Sequence, residues 1–301
     1  FFGVRQCHVP MIMAALRRRR DVAAPSKEIA TPALLLQGDA PPHSRSRFIL
    51  SGYRRPEPRF SFGLVTAGLF SIHNESLNVW SHVFAALWAL LRLAQVVASQ
   101  HHLDSTTVVI FLASAAACFS FSATFHLLGP VLPAPTAAQL YTLDMNGIVL
   151  AIGGSYFPGL YFGFRCHPPL QRAYVAITAA LVAASFVVTL APIIRDAPQW
   201  SWLRVGTLSS TVAFGLLPLA QWVAIAPLSD RELLLGPLLQ MFGLYGLGFV
   251  FWHYKVPERW SPGSFDTWLA SHFWWHVLVF AAVATWDEDC HRMLENGLAP
   301  C

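Results

Sequence analysis

Two histidines lie four residues apart in SHFWWHVLVFAAVATW, residues 271–286, a stretch otherwise apolar enough to span a membrane. Residues at positions i and i+4 project from one side of a helix, so His272 and His276 can hold a single metal ion. Imidazole is costly in hydrocarbon unless it has a partner. A third histidine, His126 in SATFH, ends another apolar stretch. Three protein ligands with a fourth position open are the usual set for catalytic zinc.

Two oxygen-bearing side chains accompany these histidines. Ser122 precedes His126 by four residues and therefore shares its helix side. Asp144, in YTLDMNG, can accept a hydrogen bond from a ligand or bind a metal-bound water. At 1.5 Å per residue, the predicted spans put the three histidines and Asp144 roughly 3 to 10 Å inside one membrane face. Their common depth predicts one metal site rather than several separate buried histidines.

The elements that position these residues follow from composition. Charged residues make up 12% of the 301 and hydrophobic residues 55%, whereas soluble domains have about 25% charged residues. Apolar stretches long enough to span occur at 79–97, 106–128, 140–163, 173–194, 204–226, 233–254 and 269–286. Backbone groups in lipid are satisfied within helices. The sequence therefore predicts an all-α membrane protein with a seven-transmembrane helical bundle over residues 79–286.

The remaining chain falls into three parts. Residues 1–59 are basic and contain several prolines, which predicts a disordered tail that the positive-inside rule places in the cytoplasm. Residues 60–78 are too short to span and predict an interfacial segment. Residues 287–301 form a short outer or lumenal tail, because seven spans separate the two ends. The basic tail suits anionic lipid headgroups rather than nucleic acid, in the plasma membrane or an endomembrane.

Other polar residues in or near the spans have weaker functional signals. His82 lies on a span that offers no second ligand at the same depth. Arg92 can extend to the outer end of the first span. Arg204 opens the fifth span, where it either anchors to headgroups or contacts a lipid carboxylate near the metal. Three cysteines in the later loops or the C-terminal tail can pair on an oxidising side; they are Cys166, Cys290 and Cys301.

Several separated motifs resemble those of the progestin and adipoQ receptor family, which includes adiponectin receptors and hemolysin III-like proteins. HNESLNVWSH at 73–82 resembles the family's Glu-x-x-Asn-x-x-(Ser/Thr)-His block. SATFH at 122–126, LDMNGI at 143–148 and SHFWWHVLV at 271–279 match the motifs of the second, third and seventh helices. These motifs occur in the family's order, over a region from about Ser51 to Trp286.

The resemblance implies an inside N-terminus and a zinc ion (Zn2+) held by His126, His272 and His276, with Asp144 and Ser122 close by. It also implies ceramidase-like hydrolysis and lipid-linked signalling. The first hypothesis is a zinc-dependent amide hydrolase for ceramide-like lipids, with a fatty acid as one product. Zinc would activate water, Asp144 would take its proton, and Ser122 would hold the water or oxyanion.

Two other functions are weighed against hydrolysis. One is a receptor or sensor in which zinc is structural and a partner binds the cytoplasmic face. The resemblance specifies neither the protein partner nor an extracellular ligand. A zinc transporter is less favoured, because no second line of ligands continues across the other half of the predicted bundle.

Overall fold

The computed structural model describes residues 34–99, 105–191, 201–296 and 301, and over these ranges the protein is built of α-helices. A 3-10 turn at Pro42–Ser44 precedes the first α-helix. The helices in chain order are α1 Phe62–Phe70, α2 Ser76–Ala98, α3 Ser105–Leu128, α4 Ala134–Gly163, α5 Pro168–Leu190, α6 Ser201–Phe214, α7 Leu216–Ile225, α8 Leu228–Tyr254 and α9 Ser271–Asn296.

Five helical segments in the described part of the chain are long and apolar enough to cross a membrane, which makes this an integral, multi-pass membrane protein. They are Ser76–Ala98, Ser105–Leu128, Pro168–Leu190, Trp202–Ile225 and Leu228–Tyr254. The fourth segment consists of α6 and α7, which are separated at Gly215. Pro218 explains this interruption, since a proline has no N–H to donate to the carbonyl four residues earlier.

The predicted third and seventh spans fall on α4 and α9, which are 30 and 26 residues long and are not among these five segments. Helix α4 carries Asp144 and Asn146, and α9 carries two histidines and a cluster of acidic residues near its end. The polar side chains of these two helices thus include candidate site residues. Helix α9 also continues past the predicted span, so residues 287–296 of the predicted tail are helical.

Helix α3 is the central helix of the described bundle. Half of its apolar window is buried, compared with 17–28% for the other four candidate spans, whose outward apolar side chains suit contact with lipid. Glycines on α4 permit a close approach to α3, because a Cβ atom at Gly147 would lie 2.9 Å from the Cα atom of Cys118. This packing holds the helix of His126 against the helix of Asp144.

Residues 34–59, here called the juxtamembrane segment, make specific contacts although the sequence predicted them as part of a disordered tail. Tyr53 is 1% exposed, and its hydroxyl donates to the Ile49 carbonyl at 2.9 Å. The Leu50 amide and the Ser51 hydroxyl donate to the Asp266 carboxylate at 2.9 and 2.7 Å. The segment is thereby tied to the loop between α8 and α9. Residues 1–33 lie outside the described residues, so disorder there stays a prediction.

Two ends of the bundle are distinguished by contacts between helices. The proximal end contains the starts of α2, α4 and α9 and the end of α3. At the opposite, distal end, Arg92 Nε donates to Asp287 Oδ2 at 2.7 Å. The expectation that Arg92 extends to the outer end of its span stays a prediction, and the structure adds a carboxylate partner from α9.

The distal end is also joined by a second ion pair and by a disulfide. Arg165, after α4, lies 2.9 Å from Asp230, in the first turn of α8. Cys166 and Cys301 form the disulfide, and Cys290 is buried as a free thiol. The sequence left the pairing of these three cysteines open, and Cys166 and Cys301 are the two that pair.

Candidate metal centre

Three histidines converge at the proximal end of the bundle. His126 lies in the last turn of α3, and His272 and His276 lie in the first two turns of α9. One ring nitrogen from each lies within 4.8 Å of the other two, and Nε2 of His126 is 3.0 Å from Nε2 of His272. Zinc binds imidazole nitrogen at about 2.0–2.1 Å, so the three histidines could hold one such ion after small adjustments of their rings. The predicted set of metal-binding residues is brought together.

The start of α2 supplies hydrogen-bond partners for two of these rings. His126 Nδ1 lies 2.8 Å from Glu75 Oε2. His276 Nδ1 lies 3.0 Å from the Ser81 hydroxyl and 3.2 Å from the Asn78 carbonyl. Asn78 Nδ2 in turn donates to Glu75 Oε2 at 2.7 Å. The Nδ1 atoms of both histidines therefore face α2.

The Glu75 carboxyl group is largely enclosed, with its side chain 17% exposed. Burial raises the pKa of its carboxyl group, but hydrogen bonds from His126 and Asn78 outweigh burial and hold the pKa below its usual value. Its neighbour His73 is fully buried, and burial together with the positive charge of Arg54 lowers the pKa of His73 to about 4.

The helix ends that carry the ligands are fixed by polar contacts at the proximal end. Arg54 Nη2 donates to the main-chain carbonyl of His126 at 2.9 Å, which satisfies one of the carbonyls that the last turn of α3 leaves without a helical partner. The buried Glu258 carboxylate accepts the amide of Ser271 at 2.7 Å and also contacts its hydroxyl. A carboxylate is favourable at a helix N-terminus, and it fixes the turn from which His272 projects.

The oxygen-bearing residues predicted from the sequence also lie at this end. Ser122 is 3% exposed on α3, one turn before His126. Its side chain lies close to the Asp144 carboxyl group, with which His126 interacts electrostatically. Arg204, in the first turn of α6, interacts electrostatically with Tyr141, whose ring centroid lies 5.5 Å from that of Phe125.

His82, which the sequence ranked as a weaker candidate, lies directly against the histidine group. Its ring stacks on that of His276 with centroids 3.5 Å apart and an interplanar angle of 8°. It is 3% exposed, and neither ring nitrogen has a hydrogen-bond partner among the described residues.

The contacts of Glu75, Asn78 and Ser81 with the candidate ligands were not predicted from the sequence. Their signal was present in the HNESLNVWSH block, because residues spaced by three follow one side of a helix. His82 shares that side, so the block marks the side of α2 that faces the metal-binding residues.

A known family matches the part of the chain that carries the candidate centre. The Haemolysin-III related family model matches residues 70–286, which include every residue of the candidate centre from Glu75 to His276. The Adiponectin receptor protein of Drosophila melanogaster is 33% identical over 243 residues, which is 78% of this chain and 53% of the fly protein. This chain therefore spans about half of the fly protein.

Two further relatives align over most of their length. Progestin and adipoQ receptor family member 3 of Mus musculus is 28% identical over 84% of each chain. ADIPOR-like receptor IZH2 of Saccharomyces cerevisiae is 30% identical over 83% of each chain. The family match and these relatives together show that the chain belongs to the Haemolysin-III related family, with adiponectin receptors and progestin and adipoQ receptors among its relatives.

Proposed function

We propose that this protein is a zinc-dependent amide hydrolase of the membrane, acting on ceramide-like lipids. The observation that carries the proposal is the grouping of three imidazole ligand atoms within 4.8 Å of one another, next to the Asp144 and Ser122 side chains. A zinc ion held by His126, His272 and His276 supplies a Lewis acid that activates water and polarises an amide carbonyl.

The protein's own residues have distinct parts in this proposal. Asp144 takes the proton of the attacking water and returns it to the leaving amine. Ser122 donates its hydroxyl to the carboxylate of Asp144 or to the oxyanion of the substrate. The apolar walls of the bundle accommodate the acyl chain. Arg204 is the cation proposed to hold the carboxylate of the released fatty acid.

The proposed topology has seven spans, a cytoplasmic N-terminus and an outer or lumenal C-terminus. Helices α4 and α9 are the third and seventh spans, and α6 with α7 forms the fifth. The arginine-rich N-terminal residues support this orientation. The disulfide between Cys166 and Cys301 supports it independently, because disulfides persist on the oxidising side of a membrane. Protease protection of tags placed before residue 60 and after residue 290 tests the topology, and finding both tags on one side would refute it.

The decisive experiment measures zinc content and turnover on the same purified protein. We expect about one zinc ion per chain, strongly reduced occupancy after His126→Ala, His272→Ala or His276→Ala, and free sphingoid base released from a ceramide panel, detected by mass spectrometry. Undiminished zinc in all three histidine variants would refute the site.

Asp144→Asn separates chemistry from metal binding. The amide keeps the shape of the side chain but cannot take a proton, so turnover should fall by roughly 10²-fold or more while zinc remains bound. Asp39→Asn, the same change at an exposed residue, is the matched control and should keep wild-type turnover. Full turnover with full zinc in Asp144→Asn would remove the proposed base.

A receptor or sensor with structural zinc is the second candidate. The names of the relatives, adiponectin receptor and progestin and adipoQ receptor, support it. In that case the juxtamembrane segment, together with the loop between α8 and α9, offers a partner protein an ordered surface at the proximal end. Zinc that is retained by a protein with no hydrolysis of any lipid in the panel would favour this function.

A further inference from the structure

We infer that Glu75, Asn78 and Ser81 form a hydrogen-bond layer that prepares the histidines for the metal, and that Glu75 is the positioning residue that sets metal affinity. The inference rests on the proposed function only in requiring that the three histidines bind a metal. It assigns a task to the HNESLNVWSH block, which the proposed chemistry leaves without one.

The first step concerns the protonation pattern of the rings. A neutral imidazole carries one proton, and only the other nitrogen can bind a metal. The Asn78 carbonyl can only accept a hydrogen bond, so the 3.2 Å contact favours the tautomer of His276 that carries its proton on Nδ1. The Glu75 carboxylate places the proton of His126 on Nδ1 in the same way, over 2.8 Å. Nε2 is thereby the metal-binding atom of both rings.

The second step concerns how firmly Glu75 is held. Its side chain is 17% exposed, and Asn78 Nδ2 donates to the same oxygen that accepts from His126. The backbone N–H of Glu75 donates to His73 Nδ1 at 3.1 Å, so the backbone of Glu75 is held in place as well as its side chain. Because these contacts already hold the Glu75 carboxylate in place, it orients the His126 ring without a further loss of its own conformational entropy.

The third step concerns charge. A divalent cation bound by three neutral imidazoles leaves a double positive charge inside a bundle of low polarity, which is expensive unless opposite charge is near. Glu75 contributes one negative charge through His126, and hydrogen bonding to a carboxylate makes an imidazole a stronger ligand. Ser81 is uncharged and contributes orientation alone, so the structure assigns the larger effect to Glu75.

The test is the zinc dissociation constant of the full-length purified protein, measured by competition with a chromophoric chelator. Glu75→Gln keeps a hydrogen-bond acceptor but removes the charge, and we expect about tenfold weaker binding. Glu75→Ala removes both, and we expect about 100-fold weaker binding, the upper end for partners of metal-binding histidines. The control is Glu57→Gln, because the Glu57 side chain is exposed and should not affect the constant.

Cobalt substitution gives a readout that a merely structural role would not move. A change in the basicity of His126 alters the ligand field, so the visible absorption of the cobalt form should shift in Glu75→Gln and not in Glu57→Gln. If Glu75→Gln fails to fold, Glu75→Asp keeps the charge but withdraws the carboxylate by one methylene, and its affinity should be lower than that of the wild type.

The outcomes separate this inference from the proposed function. Wild-type zinc affinity in folded Glu75 variants would overturn the inference and leave the three-histidine centre intact. Wild-type protein that binds no zinc would overturn both. Lower thermal stability of the metal-free Glu75→Gln protein with an unchanged zinc constant would also overturn the inference, because Glu75 would then be a structural residue only.

Discussion

The ion pair between Arg92 and Asp287 joins α2 to α9 at the distal end, and its two members differ in exposure. The Asp287 side chain is 2% exposed and that of Arg92 is 28% exposed. Arg92 also donates to Gln95 Oε1 at 2.8 Å, whereas His291 Nδ1 is 3.4 Å from the other Asp287 oxygen. Removal of Arg92 therefore leaves a buried charge without its partner, whereas removal of Asp287 leaves a charge that is partly exposed.

This asymmetry gives a prediction with a magnitude. Arg92→Met leaves a buried carboxylate without its cation, which should destabilise the bundle by about 3 kcal/mol, the lower end for a broken buried pair, because His291 remains nearby. Asp287→Leu leaves an arginine that can extend to the surface, which should destabilise it by about 1 kcal/mol. The double variant Arg92→Met with Asp287→Leu should be close to the wild type, since no uncompensated charge remains.

Unfolding of the purified protein in mild detergent by added sodium dodecyl sulfate, followed by circular dichroism, measures these differences. Gln95→Leu is the matched control on the same helix and should change stability by less than either single variant. Equal losses in the two single variants, or a double variant whose loss is the sum of both, would refute the reasoning from burial.

Two further predictions concern the disulfide and His73. Peptide mapping without reductant should recover Cys166 linked to Cys301, and Cys166→Ser should lower stability by at most about 5 kcal/mol, the loop-entropy limit for their separation of 135 residues; unlinked cysteines would contradict this. The pKa of His73 is about 4 in the fold against 6.5 for the free side chain. Stability is therefore highest above pH 6.5, where His73 is neutral in both states, and falls between pH 6.5 and 4, where the unfolded state binds the proton more readily. That loss is about 3 kcal/mol at most, and acid titration should show a smaller loss in His73→Gln; identical acid sensitivity would contradict it.

The grouping of the three histidines was predictable because the helix imposes their spacing and depth. His272 and His276 share a helix side by spacing alone, and the direction of successive spans brings His126 to the same end. The partners of these rings were not predictable in the same way. Glu75 and Asn78 precede the apolar run that begins at 79, although α2 already begins at Ser76, so the apolar pattern alone leaves out two of the three residues that contact the candidate ligands.

Helix boundaries show the same limit. The apolar pattern predicted a span over 140–163, yet α4 begins at Ala134. An apolar pattern indicates which residues suit lipid, whereas the backbone hydrogen bonds of a helix can continue beyond those residues. Contacts between distant parts of the chain are the other gap. Arg92 and Asp287 are 195 residues apart, and Leu50 and Asp266 are 216 apart, so composition near either member does not reveal the partner.

The position of the candidate centre near the proximal end follows from the chemistry of its supports. Glu75, Arg54 and Glu258 reach the ligand helices from segments outside the apolar runs, where backbone and side chains can exchange hydrogen bonds with water during folding. At mid-membrane depth, each of these polar groups would lower the stability of the fold by several kcal/mol unless all of its hydrogen bonds were satisfied. The proposed hydrolysis would need water on one side of the centre and an acyl chain on the other. The candidate ligands lie in the first two turns of α9 and the last turn of α3, closer to the membrane surface, and so to water, than the apolar middle of either helix.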